Sequence, residues 1–178
     1  MLSYQDMDPS QKQVYDAAVN GLRGKAPAPL AAWIASPEMA GRAQHLGEFL
    51  RYQTSLTPRL SELAILVTAR EWTAHYEWFA HKKEAIKAGL ESSIIDAIAE
   101  HRTPDFLCRE DTVIYDFSLA LHTKRRISEP AYSEAVNLFG AKTVSELVGI
   151  IGYYTFVAMT LNVFEIELPN GVQTDLKD

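Results

Sequence analysis

From Leu147 to Phe164 the chain reads LVGIIGYYTFVAMTLNVF, apolar around most of a helix's circumference. Such a helix must be surrounded on most sides, either by lipid or by the rest of the fold. A membrane span needs about 20 predominantly apolar residues. This run is interrupted by Gly149, Gly152, Tyr153, Tyr154, Thr155, Thr160 and Asn162. We therefore read it as the core helix of a helical protein, with surface to spare for a subunit contact and no membrane association. Thr143-Val-Ser-Glu146 just upstream has the form of a capping box, which predicts the helix start.

A core helix needs partners, and the rest of the chain supplies helical ones. Asp8-Pro9 predicts a helix carrying Val14, Tyr15, Ala18 and Leu22 after a loose lead over residues 1–7, and Gly21 and Gly24 limit its extent. Pro29 to Ala35 predicts a short apolar turn of helix with Trp33. Ser36-Pro37 opens a helix whose apolar face is Met39, Ala43, Leu46, Phe49 and Leu50. Further helices are predicted over Ser92–Ala99, Cys108–Thr123 and from Ser128 to about Gly140. Only Phe164 to Leu168 alternates as a strand would, and briefly. The class is all-α. No composition shift, internal repeat or low-complexity tract divides the chain, so its 178 residues are expected to form one domain.

Charge and cysteine content narrow the function. A net charge of −6 does not fit a nucleic-acid surface, which requires a basic stripe. The single cysteine, Cys108, excludes an intrachain disulfide or a cysteine-based zinc cluster, and fits a reducing cytoplasm. The opening MLSYQDMDPSQKQ has neither the basic nor the apolar region of a signal peptide, so the expected location is cytoplasmic.

The chemistry lies in Thr57 to Gly89. Thr57-Pro58 predicts a helix start, with Leu60, Leu63, Ala64, Val67 and Thr68 on one face, and Gly89 suits a left-handed helix end. Glu77 and His81 are four apart, so on a helix they share a face and can hydrogen-bond, the carboxylate fixing the imidazole's tautomer. Glu62 would stand about 22 Å from Glu77 on one straight helix. The three share a site only if the chain turns, and Thr73 is the expected cap of the second helix.

Glu62, the phrase YEWFAH (Tyr76–His81) and the trailing Ala85, Gly89 and Leu90 resemble the carboxymuconolactone decarboxylase and alkylhydroperoxidase-D-like proteins. The resemblance runs from about residue 36 to 169, leaving 1–35 as an N-terminal helical extension. It implies an all-helical homo-oligomer, a trimer or hexamer, acting on a small molecule without a cofactor. The family's peroxidase branch carries a Glu, a Cys-x-x-Cys pair with a His between the cysteines, and a His four residues later. Those positions fall here on Glu62, Ala74, Tyr76, Glu77 and His81, so both thiols are missing. The lactone-decarboxylase branch resembles the Glu77 and His81 pair itself. The implied activity is acid–base chemistry on a small organic acid or lactone, of the decarboxylase or lyase type. His81 would shuttle the proton, Glu77 orient it and Glu62 act as a second acid or base, with the Tyr76 hydroxyl donating to substrate. Hydroperoxide reduction and a silent ligand-binding oligomer are the competing readings.

The other candidates have plainer roles. His75, Glu77 and His81 do not share one helix face, so a metal would need a further ligand such as His45 or His122, and no metal is expected. Lys82, Lys83 and Lys87 read as solvated surface able to steer an anion, and Lys124, Arg125 and Arg126 as a cationic helix end. Cys108 reads as a buried small hydrophobe.

Overall fold

The computed structural model describes residues 2–177; Met1, in the expected lead, and Asp178 lie outside it. Among the described residues there is no strand. The α-helices are α1 (Pro9–Asn20), α2 (Leu30–Trp33), α3 (Pro37–Tyr52), α4 (Pro58–Glu71), α5 (His75–Lys87), α6 (Ser92–Ala99), α7 (Arg109–Lys124), α8 (Glu129–Phe139) and α9 (Ala141–Val163). One turn of 3₁₀ helix, Tyr4–Asp6, precedes them, and Met7 behind it is buried, so the lead is docked rather than loose.

The centre is α4. Every residue from Ser61 to Arg70 is buried, and α4 packs on α5, α7 and α9. The single face of Leu60, Leu63, Ala64, Val67 and Thr68 expected from spacing is thus replaced by burial on all sides. Around it, α9 contributes Leu147, Ile150, Ile151, Tyr154 and Val157 to the same core. Length and a mean hydropathy of 1.5 would let α9 cross a membrane, but it is instead packed against α3, α4, α5 and α8. Trp33 of α2 locks onto it, donating its indole N–H to Thr160 Oγ1 at 2.8 Å and stacking on Phe156 at 4.8 Å.

The helix starts follow local chemistry in two cases and not in a third. The Asp8 carboxylate accepts from the Gln11 amide while the Gln11 side chain accepts from the Asp8 amide, a reciprocal cap. Thr57 caps α4 by accepting from the Leu60 amide. The Thr143–Glu146 capping box does not form. The helix begins earlier, after Gly140 at φ 82°, and Thr143 is buried inside it. Glu146 instead accepts from the Ser55 amide at 2.6 Å and pairs with Lys142 at 2.8 Å, tying α9 to the α3–α4 loop.

The predicted face of α3 is also corrected. Met39, Leu46 and Phe49 are exposed, and the helix turns Ala40, Ala43, Gln44, Gly47 and Leu50 inward. Gly47 decides this rotation. A side chain there would overlap the Tyr153 hydroxyl, 2.1 Å from the position of a Cβ, so the glycine admits the α9 ring against the α3 backbone. Leu22, expected on the buried face of α1, is exposed because α1 ends at Asn20.

The turn between α4 and α5 positions the site. Thr73 is not a cap: α5 starts at His75 with Ala74 at its N-cap and no side-chain bond. Thr73 lies in the left-handed region at φ 44°, its amide bonding Arg70 O at 3.0 Å, while the Ala74 amide bonds Ala69 O at 2.8 Å. That pair of bonds is the Schellman closure of α4. A β-branched residue in this region is strained. From the far side, the C-terminal segment braces α5: Asp175 accepts from Trp78 Nε1 at 3.2 Å and pairs with Lys82 at 2.6 Å.

Candidate active site

Folding α5 back on α4 brings Glu62 and His81 together. His81 Nδ1 lies 2.6 Å from Glu62 Oε2, with both residues buried. On the other side of the ring, Nε2 faces Arg51 of α3 at a long 3.5 Å. A guanidinium can only donate. Nε2 therefore presents its lone pair toward Arg51, and Nδ1 carries the proton it donates to Glu62. The partners thus select one tautomer of the imidazole, with Nε2 directed into the helix interface. Tyr154 of α9 packs edge-on against the ring at 4.8 Å.

Glu77 is placed differently from the expectation. It shares the buried face with His81 but is not its partner; that role falls to Glu62. An i,i+4 pairing is a weak surface preference, and the close approach of α4 overrides it. Glu77 is 1 % exposed and neither oxygen meets a hydrogen-bond donor among the described residues. Burial, and then the charge of Glu62, push its carboxyl well above the usual range. Burial thus favours the protonated form of Glu77, in the same seam as the imidazole.

Several polar groups that the sequence reading passed over converge here. The Tyr153 and Tyr154 hydroxyls, both oxygen and nitrogen of the Gln44 amide, and two nitrogens of Arg23 are buried without hydrogen-bond partners. Burial raises both phenols; Arg51 and Arg23 oppose this, while Glu77 adds to it at Tyr153 and Glu62 at Tyr154. Arg51 is disfavoured as a cation by burial, but Tyr154, Glu62, Tyr52 and Glu84 more than restore it. A signal for part of this set existed: Gln44, Gly47 and Arg51 stand at helical spacing on one face of α3. Buried polar groups are normally satisfied. So many unsatisfied in one seam between α3, α4, α5 and α9 make it the candidate site.

The remaining expected residues lie elsewhere. Tyr76 is half-buried and lines a separate cleft of about 430 Å³ with Leu2, Met7, Tyr15, Leu30 and Ile166. His75 Nδ1 lies 2.8 Å from Thr174 Oγ1, and His122 Nε2 3.0 Å from Thr68 Oγ1. Neither joins a cluster of metal-ligating side chains among the described residues. Lys82 is engaged by Asp175, and Lys83 sits 3.8 Å over the Phe79 ring, so neither is simply solvated. Arg125 adopts a left-handed conformation at φ 60° and closes α7. Cys108 is half-buried, not a core residue, and takes a contact from Arg59 at 3.6 Å while Arg59 pairs with Asp111.

No protein-family model matches the sequence, and no curated protein does. The structure is similar to that of the debrominase Bmp8 in its apo form, at a TM-score of 0.73 and 15 % identity over 95 % of this chain and 90 % of that one. It is equally similar to a cysteine-to-alanine variant of that debrominase in complex with 2,3,4-tribromopyrrole, at 0.74 and 16 % identity over the same shares. The likeness establishes that this chain shares the all-helical fold of that debrominase.

Proposed function

We propose that this protein is an enzyme of general acid–base chemistry, acting as a decarboxylase-type lyase on a small organic acid or lactone. The observation that carries the reading is the buried His81–Glu62 hydrogen bond, with Glu77 buried in the same seam and its carboxyl pushed well above the usual range. His81 Nε2 takes a proton from the substrate, and Glu62 accepts the Nδ1–H bond that stabilises the resulting imidazolium. Arg51 and the Tyr154 hydroxyl stabilise negative charge as it develops on a substrate oxygen. In a decarboxylation the breaking bond's electron pair stays on the substrate, carbon dioxide leaves, and Glu77 donates its proton to the carbon. The proton that His81 took from the substrate then passes through solvent to Glu77, which restores both groups. A five-membered ring such as the debrominase's pyrrole ligand has the size of the lactone this reading requires.

Thiol chemistry has little support. The residues at the resembled cysteine positions are Ala74 and Glu77, and Cys108 lies at the start of α7 against Arg59. A peroxidase needs an attacking thiolate and a thiol to resolve the product.

The test is a panel of carboxylated lactones and unsaturated carboxylic acids, followed by carbon dioxide release. Turnover should fall roughly 10²–10⁴-fold in His81→Ala, the contribution of a positioned acid or base. The Glu62→Gln loss should overlap with it, because residues acting as a unit are not additive. Turnover that survives His81→Ala contradicts the proposal. Dithiol-dependent hydroperoxide reduction that is lost in Cys108→Ala would replace it with the reductase reading.

A further inference from the structure

The proposed chemistry leaves one cation of the seam without a task. Arg23 lies outside the helices, in the connector between α1 and α2, yet its Nε and one terminal nitrogen are buried and unpartnered. Its placement is built into the fold. The Leu22 amide donates to Glu48 Oε2 on α3 at 3.1 Å, pinning the connector one residue before Arg23. Gly21 lies so close to that carboxylate that a Cβ would stand 2.3 Å from it, and Gly24 follows at φ 66°. Two glycines thus bracket Arg23, one for close approach and one for a left-handed turn. Together they turn the side chain inward toward Tyr153. Arg23 stands beside that hydroxyl without an aligned hydrogen bond to it. Tyr153 rests on Gly47, and Gln44 lies one turn away on the same face of α3 with its amide also unpartnered.

A buried guanidinium with a free pair of adjacent N–H groups is an incomplete arrangement. Nε–H and its neighbouring terminal N–H form a planar fork that matches the two oxygens of one carboxylate. The Tyr153 hydroxyl and Gln44 amide supply further donors beside it.

We infer that Arg23 is a specificity-determining residue that binds the carboxylate of the substrate at the Tyr153 and Gln44 end of the seam. The inference rests on the proposed acid–base reading for the identity of the site, and it selects the acidic members of the substrate class over neutral lactones. It also gives the N-terminal extension a role, since the residue that recognises the anion comes from outside the region of family resemblance.

Benzoate and its uncharged analogue benzamide are suitable probes, titrated into the full-length protein at fixed ionic strength with calorimetric and NMR readout. Benzoate should bind saturably and shift the Arg23 Nε–H and Tyr153 resonances, and benzamide should not. Arg23→Gln should weaken benzoate roughly tenfold or more, the loss expected on truncating a buried charge pair. Arg102→Gln, on an exposed loop, should bind as the wild type does. His81→Ala should also retain benzoate, so that failure of catalysis and failure of anion binding are read separately. If Arg23→Gln loses its fold, Arg23→Lys decides: it keeps the charge, loses the fork and should bind more weakly. Benzoate affinity unchanged in the Arg23 variants, equal binding of benzamide, or no saturable benzoate binding by the wild type overturns the inference.

Discussion

Glu77 is the residue on which the proposed chemistry turns, and its burial has a consequence for stability. Its carboxyl binds a proton more tightly in the folded chain than in the unfolded one. Below the ordinary value of 4.5 both states are protonated and nothing is lost. As the pH rises above that value the unfolded chain releases its proton first, so stability falls until the folded group also ionises. Glu77→Gln should remove this component and be more stable than the wild type at about pH 8, while near pH 4.5 the two should converge. Denaturant melts at the two pH values would check it, and equal slopes with pH would contradict it. The sequence identified Glu62, Glu77 and His81 as one group but assigned the histidine's partner by helical spacing. Spacing describes an isolated helix; the partner was chosen by the fold-back at Thr73, a residue whose type disfavours the conformation it adopts.

At the scale of elements, the seam depends on how closely α3 approaches α9. Gly47→Ala forces either the Tyr153 phenol or the helix to move, which should cost roughly 1–3 kcal/mol, as overpacking does. Gly41, inside α3 and off its exposed apolar stripe, would place a Cβ at an ordinary 3.5 Å from Val14, so Gly41→Ala should stabilise by about 0.5–1 kcal/mol. Urea unfolding of the two variants should therefore move in opposite directions, and a neutral or stabilised Gly47→Ala would show that the contact is not tight. The all-helical class was legible because the caps at Asp8 and Thr57 and the α9 run are local signals. The rotation of α3 was not, because large apolar residues drew the predicted face toward Met39, Leu46 and Phe49 while a glycine fixed the real one. Gln44 and Arg51 share a helical spacing that those apolar residues masked, whereas Tyr153 and Arg23 become part of a site only through packing between elements.

At the scale of the whole molecule, those outward residues bear on assembly. Met39, Leu46 and Phe49 form an exposed stripe along α3, and Val148, Met159 and Val163 form another on one face of α9. Single exposed apolar side chains are ordinary, whereas aligned ones mark surfaces that associate. We predict burial of these faces between copies of the chain, with light scattering at micromolar concentration giving a trimer or larger. A monomer under those conditions would contradict the assembly and weaken the family reading.

The central claim is that the seam holds a neutral carboxylic acid beside a carboxylate-bound imidazole. Isotope-edited infrared spectroscopy of glutamate-labelled protein at neutral pH reads this directly, because un-ionised carboxyl groups absorb apart from carboxylates. The account predicts one un-ionised glutamate band that disappears in Glu77→Gln and persists in Glu62→Gln. A spectrum with every glutamate ionised, or a band that disappears with Glu62 instead, would contradict it.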